Sequence, residues 1–132
     1  MASPPPRTIF LVEDDPAMLS LMERFLRRHG YETAAAADGP TALGEIAARR
    51  PDLVIVDYML PGPFNGLELI TRLRDRFPRL PTLFITAFGS PNLCKTAQAG
   101  GATACLIKPF NMELLVRQVA ALLDAEEGGE AP

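Results

Sequence analysis

At 132 residues with 48 % hydrophobic side chains, the chain has the size of one domain and enough apolar surface to bury a core without disulfides. Its formal net charge is -3, and Asp124, Glu126, Glu127 and Glu130 carry much of that acidity, so the body is nearly neutral. A body without a broad basic field excludes nucleic acid as an expected direct partner.

Met1–Pro6 is Pro-rich and lacks the basic-then-apolar order of a signal peptide. No apolar stretch approaches the length of a membrane span, so a cytoplasmic protein with no membrane contact is expected. Cys94 and Cys105 have no metal-ligand spacing and read as two reduced thiols. Residues 1–6 read as a disordered arm, 7–123 as one domain and 124–132 as an acidic disordered tail.

Thr8–Val12 is a short apolar run, the first strand. Asp15 and Pro16 supply an N-cap and a first helical residue, and Met18, Leu21, Met22, Phe25 and Leu26 repeat at helical spacing up to His29 and Gly30. His29 and the pairs Arg27–Arg28 and Arg49–Arg50 suit helix C-termini, where cations meet the negative end of the dipole. Tyr31–Ala35 reads as a weaker strand. Asp38, Gly39 and Pro40 start a helix with Leu43, Ile46 and Ala47 on one face, and Pro51 stops it. Leu53–Val56 is apolar without alternation, the pattern of a strand buried on both faces of a parallel sheet. Pro61–Gly66 is a loop before a helix marked by Leu67, Ile70, Leu73 and Phe77. Thr82–Ile85 is a fourth strand, Ser90 and Pro91 open a fourth helix, and Cys105–Ile107 is a fifth strand. Asn111 caps a last helix with Leu114, Leu115, Val119 and Leu122 apolar. Five strands alternating with five helices predict right-handed crossovers and a single doubly wound α/β sheet.

Ligands of such sheets bind at the carboxyl ends of the strands. Glu13 and Asp14 follow the first strand, Asp57 the third, Thr86 ends the fourth, and Lys108 follows the fifth. Three carboxylates on one patch repel unless a cation joins them. Mg²⁺ suits one or two carboxylates, waters and a phosphate oxygen. Asp57 would then be a nucleophile toward phosphorus, Lys108 a point charge on the transferred group, and Thr86 a donor to it after transfer.

With these residues in place the sequence resembles the receiver domains of two-component response regulators, over roughly Arg7 to Leu123. IFLVEDDP matches the acidic-pair motif, DLVIVDYMLPG the phosphoacceptor motif, FITAF the switch-hydroxyl motif and GATACLIKPF the lysine motif. The resemblance implies a flavodoxin-like five-stranded sheet of order 2-1-3-4-5. It makes Asp57 the phosphoacceptor. It implies Asp14, Asp57 and the Met59 backbone carbonyl as Mg²⁺ ligands, with Glu13 indirect, and Thr86 and Lys108 as switch and phosphoryl-binding residues. A cis Lys108-Pro109 bond is frequent in the family. The function implied is a phosphorelay switch that assists its own phosphorylation and turns over no external substrate. Its donor would be a phosphohistidine on a histidine kinase or phosphotransfer protein, docking around Met18 and Leu21–Met22. Its output would be a protein target met by the fourth helix, fifth strand and fifth helix. About nine residues after Leu123 are too few for an effector domain.

Three features depart from the family pattern. The relay position, usually Tyr or Phe, is Cys105, which reads as a small buried strand residue without a redox role. One extra residue lies within Pro61–Asn65, where Phe64 is either an exposed contact or a cover over the site. The two hydrolysis-tuning positions are Met59 and Phe88, which cannot orient a water, so slow self-dephosphorylation is expected. Two other readings compete: a receiver-like docking module that is not phosphorylated, and a haloacid-dehalogenase-like phosphatase. The latter requires its nucleophile on the first strand and an acid/base Asp where Met59 stands.

Overall fold

The computed structural model describes residues 4–87 and 91–129, with side chains through 125. Phe88 and Ser90 lie outside the described residues. The elements alternate as β1 (Thr8–Val12), α1 (Pro16–Arg28), β2 (Glu32–Ala36), α2 (Gly39–Ala48), β3 (Leu53–Asp57), α3 (Gly66–Arg76), β4 (Thr82–Thr86), α4 (Pro91–Ala99), β5 (Ala104–Ile107) and α5 (Met112–Gly129). All four strand pairings are parallel, in the order β2-β1-β3-β4-β5. This is the flavodoxin-like order, in which the direction of strand addition reverses between β1 and β3 while every strand runs the same way.

The unbroken apolar runs explain the centre. Every residue of β3 and β4 is buried, because helices cover both faces. Phe10, Val12, Val54, Val56 and Phe84 pack with α2, α3 and α4 on one face. Ile9, Leu11, Ile55, Leu83 and Ile85 pack with α1 and α5 on the other. Residues two apart share a face, so each strand feeds both cores.

Short polar residues set where the helices begin. Asp15 accepts from the Ala17 N–H at 3.0 Å with Pro16 behind it, and Asp38 accepts from the Thr41 N–H at 2.8 Å. Asn65 and Glu68 form a reciprocal capping box, each bond 3.1 Å, at the start of α3. Such a cap contributes about 1 kcal/mol. His29 ends α1 as expected, its Nδ1 donating to the Phe25 carbonyl at 2.9 Å, and Gly30 follows at φ 90°. The last helix extends to Gly129, into the segment 124–132 expected to be a disordered tail, since Ala125, Glu126 and Glu127 are good helix formers that continue it past Leu122.

Two further expectations change, and of the two readings left open for Phe64 the exposed one is ruled out. Cys94 and Cys105 are not free thiols: they form a disulfide between α4 and β5, with Cα atoms 5.7 Å apart. Helix α4 lies over β5 and brings together two cysteines that are 11 residues apart. Phe64 is not an exposed contact but 8 % exposed, packed where a Cβ on Gly39 would strike its ring and under the Arg72 guanidinium at 4.4 Å. Met22 is 1 % exposed, so of the Leu21–Met22 pair only Leu21, at 38 %, is open to a partner. Helical phase turns Met22 inward onto Ile9 and Leu11.

Candidate functional site

The parallel register assembles the site. Val12 lies opposite Val56, so Glu13 and Asp57 leave the sheet side by side. Asp57 pairs with Ile85, which puts Thr86 one step beyond, and Thr86 pairs with Ile107, which puts Lys108 one step beyond that. The strand ends thus bring all five residues singled out above to one edge, at the switch point between β1 and β3 and along β4 and β5.

Carboxylate oxygens of Glu13, Asp14 and Asp57 lie within 4.8 Å of one another. Glu13 is 2 % and Asp57 6 % exposed, while Asp14 faces solvent. The Lys108 ammonium stands 3.1 Å from Asp57 Oδ1 and 3.5 Å from Glu13 Oε1. The Met59 side chain is 59 % exposed, and its backbone N–H donates to the Asp57 carboxylate. Glu13 Oε2 accepts from the Asp15 N–H at 3.2 Å. Thr86 is completely buried, and its carbonyl accepts from the Lys108 N–H at 2.8 Å. The Lys108-Pro109 bond is cis.

The carboxylates are crowded and partly dehydrated. Burial, and then the neighbouring Asp57 charge, push the Glu13 carboxyl above its ordinary range. Burial also raises Asp57, with Asp14 adding to it, although Lys108 and the Met59 N–H pull the other way. Burial works against the Lys108 charge, yet Asp57 and Glu13 outweigh it and hold the ammonium above its usual value.

Three carboxylates against one ammonium leave an excess negative charge that a divalent cation would neutralise. Glu13 Oε1 is also buried, with the Lys108 ammonium at 3.5 Å as its partner. An oxygen-only donor set within 4.8 Å and a net charge of the right sign fit a hard cation such as Mg²⁺.

The loop after β3 is folded tightly against the site. The Gly66 N–H donates to the Tyr58 carbonyl at 2.9 Å. A Cβ on Gly66 would collide with the Asp57 carbonyl oxygen and reach the Tyr58 backbone at 2.9 Å. Only a glycine lets α3 begin so close to the strand end that carries Asp57. Sequence reasoning missed two features here. The Met59 N–H on Asp57 has no signature beyond its position in the loop. Cys94 had one: it belongs to the helix that precedes the strand of Cys105.

Comparison with known proteins agrees with this architecture. The family model described as response regulator receiver domain matches residues 9–120. The chain is 35 % identical over 127 residues to the transcriptional regulatory protein TrcR of Mycobacterium tuberculosis, covering 96 % of this chain and 49 % of that protein. It is 38 % identical over 130 residues to the response regulator MprA of a Mycobacterium species, covering 96 % and 56 %. It therefore spans about half the length of the curated relatives it matches. Among solved structures, a CheY-like receiver domain protein from Methanospirillum hungatei superposes with a TM-score of 0.88 at 27 % identity, covering 94 % of this chain and 98 % of that one. The receiver domain of NtrX from Brucella abortus gives 0.84 at 31 % identity, covering 88 % and 98 %.

Proposed function

The chain belongs to the response regulator receiver domain family, and on that premise we propose that Asp57 accepts a phosphoryl group from a phosphohistidine donor and so alters affinity for a protein target. The observation that carries this reading is the position of Asp57. It is a buried carboxylate at the end of β3, 3.1 Å from Lys108 and grouped with two further carboxylates. An Asp57 carboxylate oxygen attacks phosphorus, the P–O bond forms, and the P–N bond of the donor breaks with its electron pair leaving on the imidazole. Asp14, Asp57 and the Met59 carbonyl would hold Mg²⁺, with Glu13 acting indirectly. The cation supplies charge neutralisation for the transferred group. Lys108 adds a second positive charge, and the Thr86 hydroxyl donates to a phosphoryl oxygen once transfer is complete. In this reading the chain turns over no external substrate.

A histidine kinase or phosphotransfer protein would be the donor, in the cytoplasm. Among the described residues no helix is long and apolar enough to cross a membrane. The surface for the donor is the exposed side of α1 around Met18 and Leu21, and the target surface is α4, β5 and α5. Residues 7–123 form the switch in this proposal.

The test is acetyl phosphate with Mg²⁺, read by intact mass. The wild-type chain gains one phosphoryl group and Asp57→Asn gains none. No gain in the wild type would leave the docking module as the better reading. A phosphatase of the dehalogenase type is disfavoured, because Asp57 ends the third strand and not the first, and Met59 stands where that chemistry needs an acid.

Once formed, the acyl phosphate should be long-lived, since the exposed Met59 side chain offers no hydrogen bond to an attacking water. Phe88, the other tuning position, belongs to the same proposal. Met59→Asn with Phe88→Glu should shorten the phosphoryl lifetime on the order of tenfold. An unchanged lifetime in a chase experiment would remove these positions from the account.

A further inference from the structure

The Cys94–Cys105 bond lies beside the residue proposed as the switch. Register pairs Cys105 with Phe84, and the next pair on the same face is Thr86 with Ile107. The disulfide therefore sits one pleat below Thr86. Helix α4 has little else to hold it: Ala97 is its one fully buried residue, with Leu93 partly buried against the same core. Cys94 and Cys105 are both half-buried, so the bond is at the rim of the α4–β5 contact and not sealed in the core.

We propose that Cys94 and Cys105 are a redox-active pair, a covalent clamp between α4 and β5 that a dithiol reductant opens. A thiolate of the reductant attacks one sulfur, the S–S bond breaks and a mixed disulfide forms. The cysteine not attacked leaves as a thiolate, and the second thiol of the reductant then displaces the attacked cysteine from the mixed disulfide. Two electrons and two protons pass to this chain, which ends with two thiols, while the reductant leaves as a disulfide. Cys94 is the better leaving sulfur. It lies in the first turn of α4, where the helix dipole favours a thiolate, and Lys95 is the next residue. Exchange with a disulfide oxidant runs the step in reverse. The cytoplasmic placement under the proposed function strengthens the case, because disulfides there are typically transient and redox-sensing. Resting on that same reading, the clamp sets how freely α4 responds to events at Thr86.

The 132-residue chain is equilibrated with dithiothreitol or with glutathione disulfide, tagged with a maleimide and weighed intact. Amide hydrogen exchange is followed in parallel over 91–107, with β1 and β3 as the reference. The oxidised sample should take no tags and the reduced sample two. Amides of α4 should exchange at least tenfold faster after reduction, with β1 and β3 unchanged. A Cys94→Ser/Cys105→Ser double variant takes no tags, and its amide exchange should match that of the reduced protein under both conditions. Two tags after glutathione disulfide, or identical exchange in the two redox states, would overturn the clamp. Neither readout uses a phosphoryl donor, so failure here counts against the clamp alone. Failure of Asp57 to take up a phosphoryl group counts against the proposed function instead.

Discussion

Lys108→Ala should take up phosphoryl groups from acetyl phosphate on the order of 10²–10³-fold more slowly than the wild type at saturating Mg²⁺. The ammonium stands 3.1 Å from Asp57 Oδ1, where it meets the charge that develops as the phosphoryl group arrives. It is also the cation paired with buried Glu13. Its loss would leave two crowded carboxylates with no ammonium between them, so the variant should be less stable in metal-free buffer as well. Lys108→Arg keeps the charge but replaces a compact ammonium by a planar fork, and should recover part of the rate. The comparison is an intact-mass time course for the three proteins, with melting curves to separate rate from folding. An Ala variant that phosphorylates at the wild-type rate would remove Lys108 from the proposed chemistry.

The charge arrangement behind that prediction was legible in the sequence for a simple reason. Leu53–Val56 has no polar alternation, so the strand had to be buried on both faces, and Asp57 had to emerge at its end. The same logic applied to Val12, Ile85 and Ile107, and the parallel register then staggered Glu13, Asp57, Thr86 and Lys108 along one edge. Local chemistry gave the caps at Asp15 and Asp38. Asn65 and Glu68 had the spacing of a capping box, but the surrounding prolines and glycines drew the reading toward an irregular loop.

What the sequence concealed depends on how elements meet. Phe64 sits in a Pro- and Gly-rich loop that suggests exposure, and only the approach of α2 at Gly39 gives its ring a place to be buried. Met22 and Leu21 are neighbours on one helix, yet α1 docks so that one faces Ile9 and the other solvent. The two cysteines offered no motif, and their bond exists because α4 packs across β5. Intracellular composition argued for thiols, and that argument bears on which redox state prevails and not on whether the sulfurs can meet. Each case needed a distance between elements, which spacing along one chain does not encode.

Removal of divalent cations should lower phosphoryl uptake by on the order of 10³-fold or more, since metal stabilisation of transferred charge is worth several kcal/mol. The same treatment should expose a pH dependence of stability whose sign follows from the site. Glu13 and Asp57 have folded-state values raised above ordinary carboxyls, chiefly by burial. The folded protein therefore binds more protons than the unfolded chain as pH rises from about 4, and stability falls through that window. Lys108, also raised, contributes stability that is fully present below its ordinary value of about 10.5 and does not change the trend at neutral pH. In EDTA the protein should be more stable at about pH 5 than at about pH 7.5. Mg²⁺ should reverse that order by binding the ionised carboxylates, adding about 2.7 kcal/mol at a hundredfold excess over Kd. Asp57→Asn should flatten the dependence in EDTA and weaken the response to Mg²⁺, because one of the crowded charges is gone. Denaturant titrations at the two pH values, with EDTA and with Mg²⁺, decide the matter. Stability that rises with pH in EDTA, or is unmoved by Mg²⁺, would mean that the three carboxylates do not form the cation site proposed for them.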